Sequence, residues 1–145
     1  MMVSKFFILQ ELVPPGIFKD YGANAIWFLD ERLLKLIDFT REYFDAPMTI
    51  NTWHKGGPGK KFTERGFRVP LSPTGAYLSQ HKAGRAVDYT IKGLKPDKVR
   101  QMIMDDEKAF MDAGLTTLED GAFAPTWCHQ DCRYTGLDHI LIVRP

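Results

Sequence analysis

The sequence predicts a single α+β domain over residues 1–145, in which two main helices cover one face of a small, largely antiparallel sheet. The length suits one domain, and a composition of 44% hydrophobic and 26% charged residues is that of an ordinary globular protein. Two stretches show the apolar spacing of amphipathic helices, and five shorter runs have the composition of strands. A chain of this size buries enough surface to form a core without disulfides.

The first half of the chain predicts one helix and one strand before a long loop. An irregular or weakly helical lead over residues 1–20 precedes a helix from about Asn24 to Phe44, on which apolar residues recur at helical steps. Pro47 stops this helix, and residues 48–53 follow as a strand. Residues 55–75 hold five glycines and three prolines, which predicts an irregular loop of a length that is usually functional or mobile.

The second half alternates strands with one further helix. Pro96 suits the first turn of a helix that runs to about Ala113, with Gly114 as its stop. The predicted strands lie at residues 85–91, 115–119, 126–133 and 138–143.

The most informative stretch is Ser79 to Asp88, which places His81 and Asp88 seven residues apart with small residues between them. Histidine and aspartate commonly bind zinc, and a catalytic zinc site needs three protein ligands and an open position. Period-two alternation along the predicted strand puts Ala86, Asp88 and Thr90 on one face. The small side chain of Ala86 leaves room for a metal beside Asp88.

A second polar stretch, residues 126–133, supplies a third ligand. If it is a strand, Trp127, His129, Asp131 and Arg133 share one face, which is much too polar for a sheet core. We therefore expect His81, Asp88 and His129 to bind one Zn²⁺ on the sheet face opposite the helices.

These motifs, in this order, resemble the zinc peptidases grouped with D-alanyl-D-alanine carboxypeptidases and the hedgehog amino-terminal domain. The resemblance is carried by Ser79-x-His81-x-x-Gly84-x-Ala86-x-Asp88 and by Trp127-x-His129. It is nearest to short phage and prophage versions, and further similar segments extend it over roughly residues 6 to 145. They are Thr49–Trp53, Gly56-Gly57, Arg65–Arg68, Leu118–Asp120 and His129-x-Asp131-x-Arg133.

The resemblance implies hydrolysis of a peptide bond in peptidoglycan stem or cross-link peptides, in the manner of a lysin. In such a site zinc lowers the pKa of a bound water toward 7, and this water is the nucleophile. A carboxylate must then act as general base. Glu119 is the expected base, with Asp120 and Asp131 as alternatives, and Asp131 would otherwise orient a ligand imidazole or bind substrate.

Further residues are expected to bind the substrate. The resemblance implies an arginine in the cleft, for which Arg68 is the better match and Arg65 the alternative. A guanidinium there binds a substrate carboxylate or stabilises an oxyanion. Ser79 is expected to bond a ligand or the substrate, and Trp127 is either a wall of the cleft or a packed aromatic.

Two departures from the family pattern keep other functions open. Thr126 stands three residues before His129, where many relatives have an acid, and Trp127 stands where others have a second histidine. One alternative is a non-catalytic zinc-containing binding or virion structural module of the same fold. Another is a cytosolic dipeptidase that trims D-alanyl dipeptides.

The remaining features bound the location and the partners. A net charge of +1 gives no argument for nucleic acid, and no run approaches the length of a membrane span or secretory signal. We expect synthesis in the cytoplasm, action at the cell wall after release by another route, and no obligate protein partner. Cys128 and Cys132 are expected to be buried free thiols, and a Cys-x3-Cys metal pair with His139 is a weaker alternative.

Overall fold

Five short strands form one mostly antiparallel sheet with the order β1-β2-β4-β3-β5 in the computed structural model, which describes residues 2–145. The pairs β1–β2, β2–β4 and β4–β3 are antiparallel, whereas β5 runs parallel to β3. The strands are β1 Met48–Thr49, β2 Ala86–Ile91, β3 Thr117–Glu119, β4 Cys128–Asp131 and β5 Leu141–Val143.

Four α-helices and three 3₁₀ turns complete the described chain. The helices are α1 Pro15–Tyr21, α2 Glu31–Phe44, α3 Pro96–Asp105 and α4 Glu107–Asp112; the 3₁₀ turns are Leu9–Glu11, Gly22–Phe28 and Gln80–Ala83. The α+β class, the mostly antiparallel sheet and the two main helical regions agree with the sequence prediction. Within residues 2–145, none of these helices has the length and hydrophobicity to cross a bilayer.

The predicted helix over residues 24–44 begins too early, because α2 starts only at Glu31. Asp30 has extended backbone and its carboxylate accepts a hydrogen bond from Arg32 N at 2.9 Å, so it caps the helix at this point. The residues before it form the 3₁₀ turn Gly22–Phe28. The predicted second helix is also divided, since Asp106 (φ −123°, ψ 41°) separates α3 from α4.

The predicted strand over residues 48–53 is shorter than expected. Beyond Thr49 the backbone finds partners outside the sheet: Asn51 N donates to Glu11 O, and Thr52 N donates to Phe62 O. Residues 50–79 contain no helix or strand, as the glycines and prolines of this region predict.

The main core lies between one face of the sheet and the helices α2, α3 and α4. Val87, Tyr89 and Ile91 of β2 point into it and meet Leu36 and Ile103 of the helices. Because side chains alternate along a strand, Asp88 must point to the opposite face. The sheet therefore separates an apolar core from a polar face.

Candidate metal centre

Three charged side chains form a row across adjacent strands on the polar face. Asp88 of β2 is the direct antiparallel partner of His129 in β4. The register of β3 against β4 pairs Leu118 with Gln130, which places Glu119 opposite His129 on the other side. Glu119 in turn pairs with Val143 of β5. The register of the sheet alone thus aligns two of the predicted ligands with the predicted base.

His81 reaches this row from the 3₁₀ turn before β2. Ser79 caps the turn, with its Oγ accepting from His81 N at 3.3 Å, and Gly84 ends it in the left-handed conformation at φ +68°. A Cβ at Gly84 would lie 1.9 Å from Phe28 O, so both the conformation and the close approach require glycine. The motif of the sequence therefore encodes the turn that carries His81.

The two imidazoles and the aspartate converge on one point. His81 Nε2 lies 3.2 Å from Asp88 Oδ1, and His129 Nδ1 lies 2.9 Å from the same oxygen. One ligand atom from each of the three residues falls within 4.8 Å of the others. Zinc-to-ligand bonds of about 2.0–2.2 Å lead to ligand separations of roughly 3–4 Å, so these distances suit one small divalent ion.

The outward nitrogen of each imidazole is already bound. His81 Nδ1 lies 2.8 Å from Gly66 O, and His129 Nε2 lies 2.8 Å from Asp131 Oδ2. Acceptors at these positions favour a proton on each outer nitrogen, so that the neutral imidazoles would present the lone pairs of His81 Nε2 and His129 Nδ1 to a metal. Arg133 holds Asp131 in turn, through Nε at 2.8 Å and Nη2 at 2.6 Å.

Arg68 is buried beside the triad and bonded to it. Its Nη2 donates to Asp88 Oδ2 at 2.9 Å, and its Nε donates to Glu64 O at 2.8 Å. Within residues 2–145 its Nη1 has no hydrogen-bond partner, and Arg68 lines the cleft above the triad. Its alternative, Arg65, instead stacks its guanidinium on the Phe62 ring, with Cζ 3.5 Å from the centroid. Of the two arginines, Arg68 has the position expected of a cleft residue.

The three carboxylates considered as general base have different surroundings. Glu119 lines the cleft, with Oε2 3.8 Å from His129 Nδ1. Asp131 is fully buried between His129 and Arg133, so it cannot contact a substrate, and its predicted substrate-binding role is wrong. Asp131 instead has the position expected of a residue that orients a ligand imidazole, here that of His129. Asp120 accepts from Arg144 Nε and Ala122 N. Of the three carboxylates, Glu119 is therefore the one with the position expected of a base.

The ionisable groups of the site influence one another strongly. Burial opposes ionisation of Asp88, but the charges and hydrogen bonds of His81 and His129 hold its pKa well below the usual value. Burial lowers the pKa of His81. Burial also disfavours charge on His129, yet hydrogen bonds to Asp131 and Asp88 raise its pKa to about 9. For Glu119, burial and the charge of Asp88 raise the pKa, so its carboxylate is more basic than an exposed glutamate.

The triad forms the floor of an open cleft of about 390 Å³. Ser79 and Trp127 both line it, as their predicted contact with substrate requires. The backbone oxygen of Trp127 accepts a hydrogen bond from the buried guanidinium of Arg100 at 2.9 Å, which fixes this wall. Thr126, where an acid was expected from the resemblance, is exposed.

Several contributors were not predicted from the sequence. The acceptor for His81 is the backbone oxygen of Gly66, which no side-chain pattern signals. Glu64 accepts from Ser72 and Thr74 hydroxyls, both at 2.6 Å, and so fixes the loop beside Arg68. The contact between Arg133 and Asp131 could have been predicted, since both residues lie on the polar face of one predicted strand.

The alternative metal pair of two cysteines does not form. Cys128 and Cys132 are free and buried, which confirms the expectation of two core thiols, and His139 is exposed and bonded to Asp138. Within residues 2–145, the triad is the one group of histidine, cysteine or acidic side chains with the spacing of a metal site. Its donor set, buried position and bound outer nitrogens fit Zn²⁺.

Comparison of the chain with protein-family models, with characterised proteins and with solved structures finds no match.

Proposed function

We propose that the chain is a zinc-dependent peptidase that hydrolyses a peptide bond in peptidoglycan stem or cross-link peptides. The observation that carries this proposal is the convergence of His81, Asp88 and His129 at the floor of a cleft that also contains Glu119. When bound, zinc would supply Lewis-acid activation of water and of the peptide carbonyl. The substrate class rests on the resemblance of the motifs around these residues.

The side chains of the cleft have complementary roles in this proposal. Glu119, with its raised pKa, takes a proton from the attacking water and passes it to the leaving amine. Arg68 Nη1, which has no hydrogen-bond partner within the described chain, donates to the carbonyl oxygen as negative charge develops on it. Ser79 and Trp127, which line the cleft, contact the substrate.

Metal analysis and a digestion assay test the proposal together. We expect about one zinc per chain after purification and release of free amines from purified peptidoglycan, lost with a chelator and restored by zinc. His81→Ala should abolish both properties. His139→Ala is the matched control, because His139 is exposed and outside the cleft. Absence of bound zinc, or amine release that a chelator does not change, would contradict the proposal.

A second function is a zinc-containing binding or virion structural module without catalysis. The exposed Thr126, at the position where the resemblance leads one to expect an acid, favours this alternative. Stoichiometric zinc without release of amines, combined with retention of the protein on peptidoglycan, would support the module over the enzyme.

A further inference from the structure

The loop over residues 70–79 has apolar side chains on its outer side and polar ones on its inner side. Leu71, Tyr77 and Leu78 are 95%, 86% and 80% exposed, whereas Ser72 is buried. Water disfavours exposed apolar surface, so a loop ordinarily has the opposite arrangement. A single exposed leucine is common on protein surfaces, but three large apolar side chains on one short loop indicate a binding surface.

Polar contacts on the inner side hold the loop in this shape. The Glu64 carboxylate accepts hydrogen bonds from the hydroxyls of Ser72 and Thr74, both at 2.6 Å. Gly75 has a φ of +77°, and a Cβ there would lie 2.5 Å from Arg68 Nη1, so the loop backbone packs closely on this arginine. The apolar side chains therefore cannot turn inward unless these contacts break.

A groove of about 440 Å³ runs along the apolar side of the loop. The half-buried Lys82 and Arg85 line it beside the exposed apolar residues, and no acidic side chain of residues 2–145 does. Lys82 Nζ donates to Tyr77 O at 3.4 Å, whereas the guanidinium of Arg85 has no hydrogen-bond partner in the described chain. The acids beside the loop are already bound, Glu64 by two hydroxyls and Asp30 by a different arginine. The groove therefore combines apolar and positively charged groups.

We propose that this face binds the surface of an anionic lipid bilayer, with Leu71, Tyr77 and Leu78 inserted among the lipids. Leucine suits the acyl region, and tyrosine, with an apolar ring and a polar hydroxyl, suits the headgroup level. Lys82 and Arg85 then attract the anionic headgroups. A protein partner would require roughly 800 Å² of complementary surface on each side, which is more than three side chains of one loop provide.

Binding to a bilayer would bring the catalytic cleft close to the lipid surface. Leu78, Ser79 and Gln80 line both the groove and the cleft, so the two are neighbours. The residues proposed to contact lipid include neither a member of the triad nor the expected base. Lipid binding is therefore independent of zinc and of the proposed function.

Co-sedimentation with vesicles of defined composition tests this inference. The probes are vesicles of phosphatidylcholine alone and of an equimolar mixture with phosphatidylglycerol. We expect the protein to sediment with the anionic vesicles and to be released by salt, which screens the cations. Leu71→Ser combined with Leu78→Ser should weaken this binding by about tenfold or more. Lys82→Gln combined with Arg85→Gln should weaken it by about 30-fold and remove the preference for anionic vesicles.

Tyr134→Ser combined with Leu137→Ser is the matched control. These residues are 87% and 42% exposed on another loop, and neither lines the groove. This variant should sediment like the unaltered protein. Urea unfolding of each variant verifies that the fold is retained.

Three outcomes would overturn the inference: no sedimentation with anionic vesicles, equal sedimentation with both vesicles, or unchanged sedimentation of the double leucine variant. Loss of retention on peptidoglycan in that variant, without any vesicle binding by the unaltered protein, would assign the face to the wall polymer and also overturn it. Vesicle binding by a protein that holds no zinc and releases no amines would reject the proposed function and leave this inference standing.

Discussion

At the scale of single residues, His129 connects the site to its support. Its Nδ1 faces Asp88 and the proposed metal position, whereas its Nε2 is bound to Asp131, which Arg133 holds in turn. Asp131 is fully buried. We therefore expect substitutions of Asp131 and Arg133 to weaken metal binding through their effect on His129.

Glu119→Gln should retain zinc and lower turnover by about 10²- to 10⁴-fold, because the amide cannot accept the proton of the attacking water. Zinc content and the rate of amine release from peptidoglycan measure the two effects. Asp120→Asn is the control, since the Asp120 carboxylate is occupied by Arg144 and Ala122. Activity in Glu119→Gln together with its loss in Asp120→Asn would transfer the role of base to Asp120.

Asp131→Asn should weaken zinc binding by about 10- to 100-fold, because the amide no longer provides a charged acceptor that fixes the tautomer of His129. Competition with a chromophoric chelator measures the affinity. The control is Asp138→Asn, which alters an aspartate bonded to an exposed histidine, His139. Unchanged zinc affinity in Asp131→Asn would show that His129 needs no such support.

The side chains of the site were predictable to different degrees. Asp88 and His129 were expected from residue type and strand parity, and His81 from its place in the motif Ser79–Asp88. Glu119 was expected from its place at the end of a neighbouring predicted strand and from the family resemblance. Gly66 could not be expected, since its contribution is a backbone oxygen. Arg144 was also missed, because its place in the cleft depends on the parallel pairing of β5 with β3, which local sequence does not specify.

At the scale of elements, the 3₁₀ turn Gln80–Ala83 determines where His81 lies. Gly84 ends this turn with its Cα against the Phe28 carbonyl. The predicted strand pattern located β2 and β4 to within two residues, because alternation of polar and apolar residues is strong there. The start of α2 was misplaced, since the capping role of Asp30 outweighed the apolar spacing that continues before it.

Gly84→Ala should destabilise the fold and abolish zinc binding, because the added Cβ would lie 1.9 Å from a backbone oxygen and displace the turn that carries His81. Gly93→Ala is the matched control: its φ of +83° is also left-handed, but nothing lies within 4 Å of the new Cβ. The control should lose only about 1–2 kcal/mol of stability. Urea unfolding and zinc titration of both variants measure the difference, and equal losses would contradict the steric argument.

At the scale of the whole molecule, the site couples stability to pH. In the metal-free protein the pKa of His129 is raised to about 9, so its stabilising contribution is complete below the unfolded value of about 6.5. It is lost as the pH rises through about 9. His81, whose pKa is lowered by burial, has the opposite effect: it destabilises the folded protein as the pH falls below the pKa of the unfolded state.

We therefore expect the free energy of unfolding of the metal-free protein to fall between pH 6.5 and pH 9, by at most about 3 kcal/mol. Urea unfolding in chelator at several pH values measures this slope. Saturating zinc should flatten it, since a neutral imidazole is then required in the folded state. His129→Gln should remove the slope as well. A metal-free protein whose stability is constant or increases over this range would contradict the prediction.

The row across β2, β4 and β3 also has a consequence for synthesis of the chain on the ribosome. His81 and Asp88 emerge together, but His129 emerges some forty residues later, after the whole of α3, α4 and β3. A nascent polypeptide that lacks β4 offers an ion two of its three donors. We therefore expect the nascent chain to bind metal only after β4 has left the exit tunnel. Zinc binding would then coincide with the last step in the assembly of the sheet.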